Sequence, residues 1–199
     1  MSEPLEGTVP PVTVPGDALP GPSWRSRLLI AGTSLRILLA PVVVGLVLGS
    51  RDTAAAIVFL VAATTDYLDG RLARRWNLTS KLGSFLDTTA DKLLVSAVLI
   101  GLVAIDRVSP WFAIVIVGRE LVLLGLRAAA AASGRHIEPS LLGKWKATVQ
   151  FAAIALAILR PDVTIAGAYL DQWAIAIAAL VTVWSGWDYL ARFAPVLRR

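Results

Sequence analysis

The sequence contains no cysteine, one methionine and one histidine, and charged residues make up only 17% of its 199 positions. Without cysteine, neither a disulfide framework nor a thiolate metal site can form. His136 stands alone in a loop-like stretch and reads as a solvated loop residue, so an imidazole-based metal cluster is excluded as well. A charged fraction well below the roughly 25% of an average soluble domain argues against a soluble core. Residues 1–22 lack the basic start, apolar centre and small-residue cleavage site of a secretory leader. They are rich in proline and glycine, carry Glu3, Glu6 and Asp17, and are expected to form a disordered tail ahead of a single domain over 23–199. No internal repeat is visible.

What is present is apolar. Hydrophobic residues make up 56% of the chain, and mean hydropathy is +0.70. Runs long enough to cross a bilayer, about 20 residues each, fall at Leu28 to Leu48, Thr53 to Ala73, Leu82 to Ile105, Pro110 to Ala131, Gly143 to Leu159 and Thr164 to Leu190. The expected fold is all-α, a polytopic membrane protein with six transmembrane helices.

Lysines and arginines are enriched in cytoplasmic loops. They cluster in the N-terminal flank (Arg25, Arg27), the second connection (Arg71, Arg74, Arg75, Lys81), the fourth (Arg127, Arg135, Lys144, Lys146) and the C-terminus (Arg192, Arg198, Arg199), whereas the other connections carry Arg51, Arg107 and Arg160 alone. Both termini are therefore expected in the cytoplasm, at the cell membrane. The net charge of +5 fits this loop bias and attraction to anionic lipid rather than a nucleic-acid surface. Trp24, Trp76, Trp111, Trp145, Trp173 and Trp187 sit near span ends, where tryptophan favours the interface. Trp184 reads as a core-packing residue.

Against that apolar background, TTDYLDGRLARRWNLTSKLGSFLDTTADKLL concentrates charge. On a helical projection Asp66, Asp69, Gly70, Ala73 and Arg74 share an arc of roughly 140°, with Leu68 and Leu72 on the other side. Gly83, Asp87 and Asp91 line one face of the next span, the two aspartates one turn apart. Converging carboxylates near a membrane repel one another and need partners. Hard divalent cations such as Mg²⁺, Mn²⁺ or Ca²⁺ resolve both problems through oxygen ligands. Two metals a few ångströms apart also suit displacement at phosphorus. The small residues would let a bulky ligand approach the backbones. The alternative is internal ion pairing of the four aspartates with Arg71, Arg74 and Lys92, with the small residues packing helices.

Asp66, Asp69, Gly70, Ala73, Arg74, Gly83, Asp87 and Asp91 reproduce residue by residue the signature of the CDP-alcohol phosphotransferases, which this chain resembles. The resemblance implies a six-helix membrane enzyme, commonly a homodimer, that moves a substituted phosphate from a CDP-linked donor to an alcohol and releases CMP. It implies that Asp66, Asp69, Asp87 and Asp91 hold two Mg²⁺ or Mn²⁺ ions on the donor pyrophosphate. Thr33, Arg36, Asp69, Gly70, Ala73, Arg74 and Gly83 would bind the donor, CDP-diacylglycerol. Asp91 would also be the general base.

The segments LRILLAP, LDTTADKLL, GRELVLLGLR and GKWKATVQ look like the phosphatidylglycerophosphate synthase branch of that family, whose acceptor is glycerol 3-phosphate. Cardiolipin synthases of eukaryotic type share parts of them. Ile30 and Thr88 depart from the family's frequent Asn and Pro, and Gly118 stands where Arg or Ser is frequent. A dianionic acceptor needs fixed cations. Arg119 and Arg127 lie roughly 80° apart around one helix, and Lys144 and Lys146 open the next at similar depth. Arg119, Arg127 and Lys144 are expected to bind the acceptor phosphate, with Glu120 orienting an arginine. Snorkelling to headgroups is the alternative for Arg127 and Lys146, and Lys92 reads as the partner of a carboxylate. A phosphatidylglycerol or inositol phosphate acceptor stays open, as does a carboxylate-lined transporter.

Overall fold

The computed structural model describes the backbone of residues 24–75, 81–132 and 141–197. The tail expected over 1–22, Trp76 and the loop containing His136 lie outside the described residues.

Six helices dominate: α1 (Trp24–Leu48), α2 (Asp52–Arg75), α3 (Lys81–Ala104), α4 (Pro110–Ala132), α5 (Leu141–Leu159) and α6 (Leu170–Leu197). The all-α expectation holds, apart from one short hairpin of β1 (Thr164–Ile165) and β2 (Ala168–Tyr169). Packing runs in a ring, α1 on α2, α2 on α5, α5 on α6, α6 on α4, α4 on α3 and α3 back on α1. The sequential neighbours α2 and α3 scarcely touch, so α1 links the two helices that carry the aspartate signature. Pro41 lies inside α1, a placement that apolar spanning helices tolerate.

The core is built from small, branched and aromatic side chains, including Val43, Phe59, Val98, Leu99, Ile116 and Ile154. Phe59 and Phe151 meet at 5.8 Å in a tilted pair that joins α2 to α5. The core does not use up the apolar residues. Leu38, Ile57, Ile100, Ile114 and Leu180 stand exposed on the outer faces of five helices' worth of surface, drawn from α1, α2, α3, α4 and α6. Soluble monomers rarely leave so much apolar surface uncovered. Trp111, Trp145 and Trp187 are also outward, as expected for interfacial residues. Trp184 corrects the sequence reading: it is 75% exposed, on the outer side of α6, because in an apolar helix of this kind hydrophobicity no longer marks the inward face.

By length and apolar composition two helices can cross a membrane on their own, over Ala31–Leu48 and Leu170–Ala191, while Asp52–Thr65 and Trp145–Leu159 are shorter apolar helices. Charged residues interrupt the others from within: Asp87, Asp91 and Lys92 in α3, and Arg119, Glu120 and Arg127 in α4.

The sixth span begins later than expected. Thr164 to Tyr169 form the hairpin, and α6 starts at Leu170. Ala166 (φ 50°) and Gly167 (φ 82°) both take left-handed conformations, the pattern of a two-residue hairpin turn. The same end of the bundle holds three left-handed helix stops, one of them Arg160 after α5 (φ 41°). Ser50 and Asp106 have positive φ, and the amides of Arg51 and Arg107 donate back to Leu46 and Leu102, as in Schellman caps. Arg107 then ties three elements together, donating to Asp52 Oδ2 at 2.7 Å and to the carbonyl of Ile158 at 2.6 Å. This rigid end lies opposite the one that carries the aspartates.

Candidate active site

The signature begins one residue past Thr65. The hydroxyls of Thr64 and Thr65 donate to the carbonyls of Leu60 and Ala62 at 2.7 and 2.8 Å, which satisfies them within an apolar helix and favours a local bend. Asp66, Asp69, Gly70, Ala73 and Arg74 fall within α2, and Gly83 within α3. Their side chains lie outside the described residues, as does that of Lys144 in α5.

Asp87 and Asp91 are described, one turn apart on α3. Asp87 Oδ1 accepts from Arg36 Nη2 at 2.8 Å and from the Thr33 hydroxyl at 3.3 Å. Two expected donor-binding residues of α1 are therefore brought onto an expected metal ligand of α3. Arg36 is fully buried, so its charge needs this carboxylate. Both contacts use the same oxygen, and a carboxylate has further acceptor capacity for a cation. The donor set fits a hard divalent metal: oxygen ligands, with no thiol or imidazole among the described residues nearby.

Asp91 belongs to a second cluster. Lys92 Nζ lies 2.6 Å from Asp91 Oδ2 and 3.0 Å from Glu120 Oε2, so Lys92 pairs with carboxylates as expected. Arg119 Nη1 lies 3.2 Å from Glu120 Oε1, and Lys146 Nζ pairs with the same oxygen. One buried glutamate on α4 thus gathers three cations from α3, α4 and α5. The sequence reading gave Glu120 a single arginine; its full role was hidden because the three partners meet only through tertiary packing. Lys146 is buried, which removes the headgroup-snorkelling alternative for it.

Thr88, Lys92, Arg119, Glu120, Arg127 and Lys146 line a cavity of about 90 Å³. Of the residues expected at the acceptor phosphate, Arg119 and Arg127 thus face the same space. Arg127 is exposed and lies over the Tyr189 ring, 5.4 Å from its centroid, a favourable cation–π distance. Arg119 Nη2 donates to the Ser185 hydroxyl at 2.7 Å. These α6 contacts were not anticipated. The signal in the sequence is Ser185, Gly186 and Tyr189 on one face of the C-terminal half of α6.

The geometry joins a pair of aspartates to a small cationic cavity through one lysine. An anionic group entering that cavity would meet fixed positive charge next to Asp91, an arrangement suited to chemistry between two phosphate-bearing molecules.

Comparison with known proteins shows the family. A CDP-alcohol phosphatidyltransferase family profile matches residues 31–184. The CDP-diacylglycerol–glycerol-3-phosphate 3-phosphatidyltransferase of Bacillus subtilis (strain 168) is 42% identical over 141 residues, covering 70% of this chain and 72% of that protein. Proteins of the same name from Shigella flexneri serotype 5b (strain 8401) and Escherichia coli (strain K12) are each 36% identical over 144 residues, covering 69% of this chain and 77% of theirs. With the signature, the helical fold and these matches in agreement, this membrane protein belongs to the CDP-alcohol phosphatidyltransferase family.

Proposed function

We propose that the chain transfers the phosphatidyl group of CDP-diacylglycerol to glycerol 3-phosphate, giving phosphatidylglycerophosphate and CMP in phospholipid biosynthesis. The observation that carries this reading is the cationic cavity beside Asp91, where Lys92, Arg119 and Lys146 converge on Glu120. The names of the relatives support the same donor and acceptor.

Members of the family generally use divalent metal ions. Asp66, Asp69, Asp87 and Asp91 would hold two, Mg²⁺ or Mn²⁺, and when bound these would neutralise pyrophosphate charge and steady the leaving CMP. The protein's own side chains do the rest. Thr33, Arg36, Gly70, Ala73, Arg74 and Gly83 hold the donor on α1, α2 and α3. Arg119 and Arg127, with Lys144, hold the acceptor phosphate. Asp91 accepts the proton of the acceptor hydroxyl, whose oxygen bonds to the phosphorus bearing diacylglycerol. The bond from that phosphorus to the CMP phosphate oxygen breaks, and CMP departs with the electron pair. Lys92, bonded to Asp91 at 2.6 Å, holds that carboxylate in place.

The six-span topology is part of the proposal. The shortest helix, α5, has 19 residues, about 28 Å at 1.5 Å each, against a hydrocarbon thickness near 30 Å. The positive loops and the signature share one end, which we assign to the cytoplasm, and a homodimer is the assembly the resemblance implies. The reading is tested by adding glycerol 3-phosphate to purified protein with CDP-diacylglycerol and Mg²⁺ or Mn²⁺. CMP and phosphatidylglycerophosphate should appear in equal amounts. CMP accompanied by phosphatidic acid, formed without acceptor, would contradict a transferase.

A further inference from the structure

We propose that α6, through Ser185, Gly186 and Tyr189, sets the reach of Arg119 and Arg127 and thereby selects the acceptor; this rests on the acceptor reading above. The family match ends at residue 184, just short of all three. Within one helix they fall in an arc of about 100°, and Trp184 and Trp187 occupy the outward side. Their face is therefore turned toward α4, on which α6 packs.

Each residue restrains an arginine differently. Ser185, buried, accepts from Arg119 Nη2 at 2.7 Å. Gly186 gives the arginine stem room: a Cβ there would lie 3.1 Å from Arg119 Cγ and 3.5 Å from Nε. That is close enough that a side chain at 186 requires the Arg119 stem to give by a few tenths of an ångström. Tyr189, also buried, offers its ring to Arg127. With Glu120 holding Nη1, the Arg119 guanidinium is clamped from two helices, while its buried Nε has no hydrogen-bond partner among the described residues. A buried, unsatisfied guanidinium donor beside a cavity is a site for an anionic oxygen. Fixing both arginines on a rigid helix removes the ordering cost from acceptor binding. It also fixes the distance between the phosphate and Asp91, so phosphorylated alcohols of other sizes present their hydroxyls out of register.

These are positioning residues, and their test separates acceptor use from donor use and from folding. Ser185→Ala, Gly186→Ala and Tyr189→Leu are compared with the conservative Ser185→Thr and Tyr189→Phe. KM for glycerol 3-phosphate, KM for CDP-diacylglycerol, relative turnover with inositol phosphate, and Tm are measured for each. The first three variants should raise the glycerol 3-phosphate KM about tenfold, the scale of one weakened charge-assisted hydrogen bond. Their donor KM and Tm should stay near wild type, and their preference over inositol phosphate should fall. Ser185→Thr and Tyr189→Phe should restore most of the loss. The proposal is overturned if the acceptor KM is unchanged in all three, or if donor and acceptor KM rise together with a fallen Tm. If wild-type protein itself gives no turnover with glycerol 3-phosphate, the acceptor reading fails first and this inference falls with it.

Discussion

Arg36 of α1 is wholly buried and reaches Asp87 of α3 at 2.8 Å, joining the first span to the third aspartate of the signature. This pair does two things at once. It compensates a cation that has no water, and it orients a carboxylate beside the expected metals. Arg36→Leu should therefore destabilise the fold by about 3 kcal/mol, the lower end for breaking a buried pair, because Asp87 keeps some contact with solvent. Arg36→Lys should recover part of the stability but little activity, since a lysine lacks the planar fork. Thermal unfolding in detergent and CMP release check both.

The metal set gives the next expectation. Changing Asp66, Asp69, Asp87 or Asp91 to Asn should each lower turnover by roughly a hundredfold or more, the consequence of losing several kcal/mol of charge stabilisation. EDTA should abolish activity, and added Mn²⁺ or Mg²⁺ should restore it. Full turnover in chelator would rule out a metal mechanism.

The role proposed for Asp91 as base can be tested apart from metal binding. If it is the base, Asp91→Asn should lose turnover while CDP-diacylglycerol binding, measured directly, is largely kept through the remaining aspartates and Arg74. A donor affinity that collapses in step with turnover would make Asp91 chiefly a ligand.

Glu120 is shared by Lys92, Arg119 and Lys146. Glu120→Gln leaves three buried or half-buried cations facing one another, so a stability loss of about 3 kcal/mol is expected. Acceptor KM should rise as the cations separate. An unchanged Tm and unchanged acceptor KM would show that the cluster is not coupled.

Arg107 provides the contrast, because it ties α2, α5 and the α3–α4 connection at the far end of the bundle. Arg107→Ala should cost about 2 kcal/mol through its two lost charge-assisted bonds. Both KM values should stay as in wild type. A selective change in either would mean that the two ends communicate.

Hydropathy made the six helices legible, because each needs a long apolar run, and the aspartate spacing made the family legible, because its signature is carried by residue types at fixed intervals. The sixth helix starts at Leu170 rather than Thr164: the residues through Tyr169 are apolar enough to pass as span, and the left-handed Ala166 and Gly167 turn them into a hairpin. Trp184 reads as inward because bulk usually means burial, a rule that reverses when lipid surrounds the bundle. The cations of the cavity are legible in the sequence one at a time. Their organisation around Glu120 and against Ser185 is not, since it depends on contacts between α3, α4, α5 and α6 that leave no spacing in the sequence.

The acceptor is the centre of the account, and one comparison tests it: purified protein, CDP-diacylglycerol and Mg²⁺ or Mn²⁺, with glycerol 3-phosphate, inositol phosphate, serine and phosphatidylglycerol supplied in turn while CMP release is followed. The cationic cavity of Arg119, Arg127 and Lys146 predicts turnover with glycerol 3-phosphate well above that with the other three. Turnover with phosphatidylglycerol and none with glycerol 3-phosphate would contradict it.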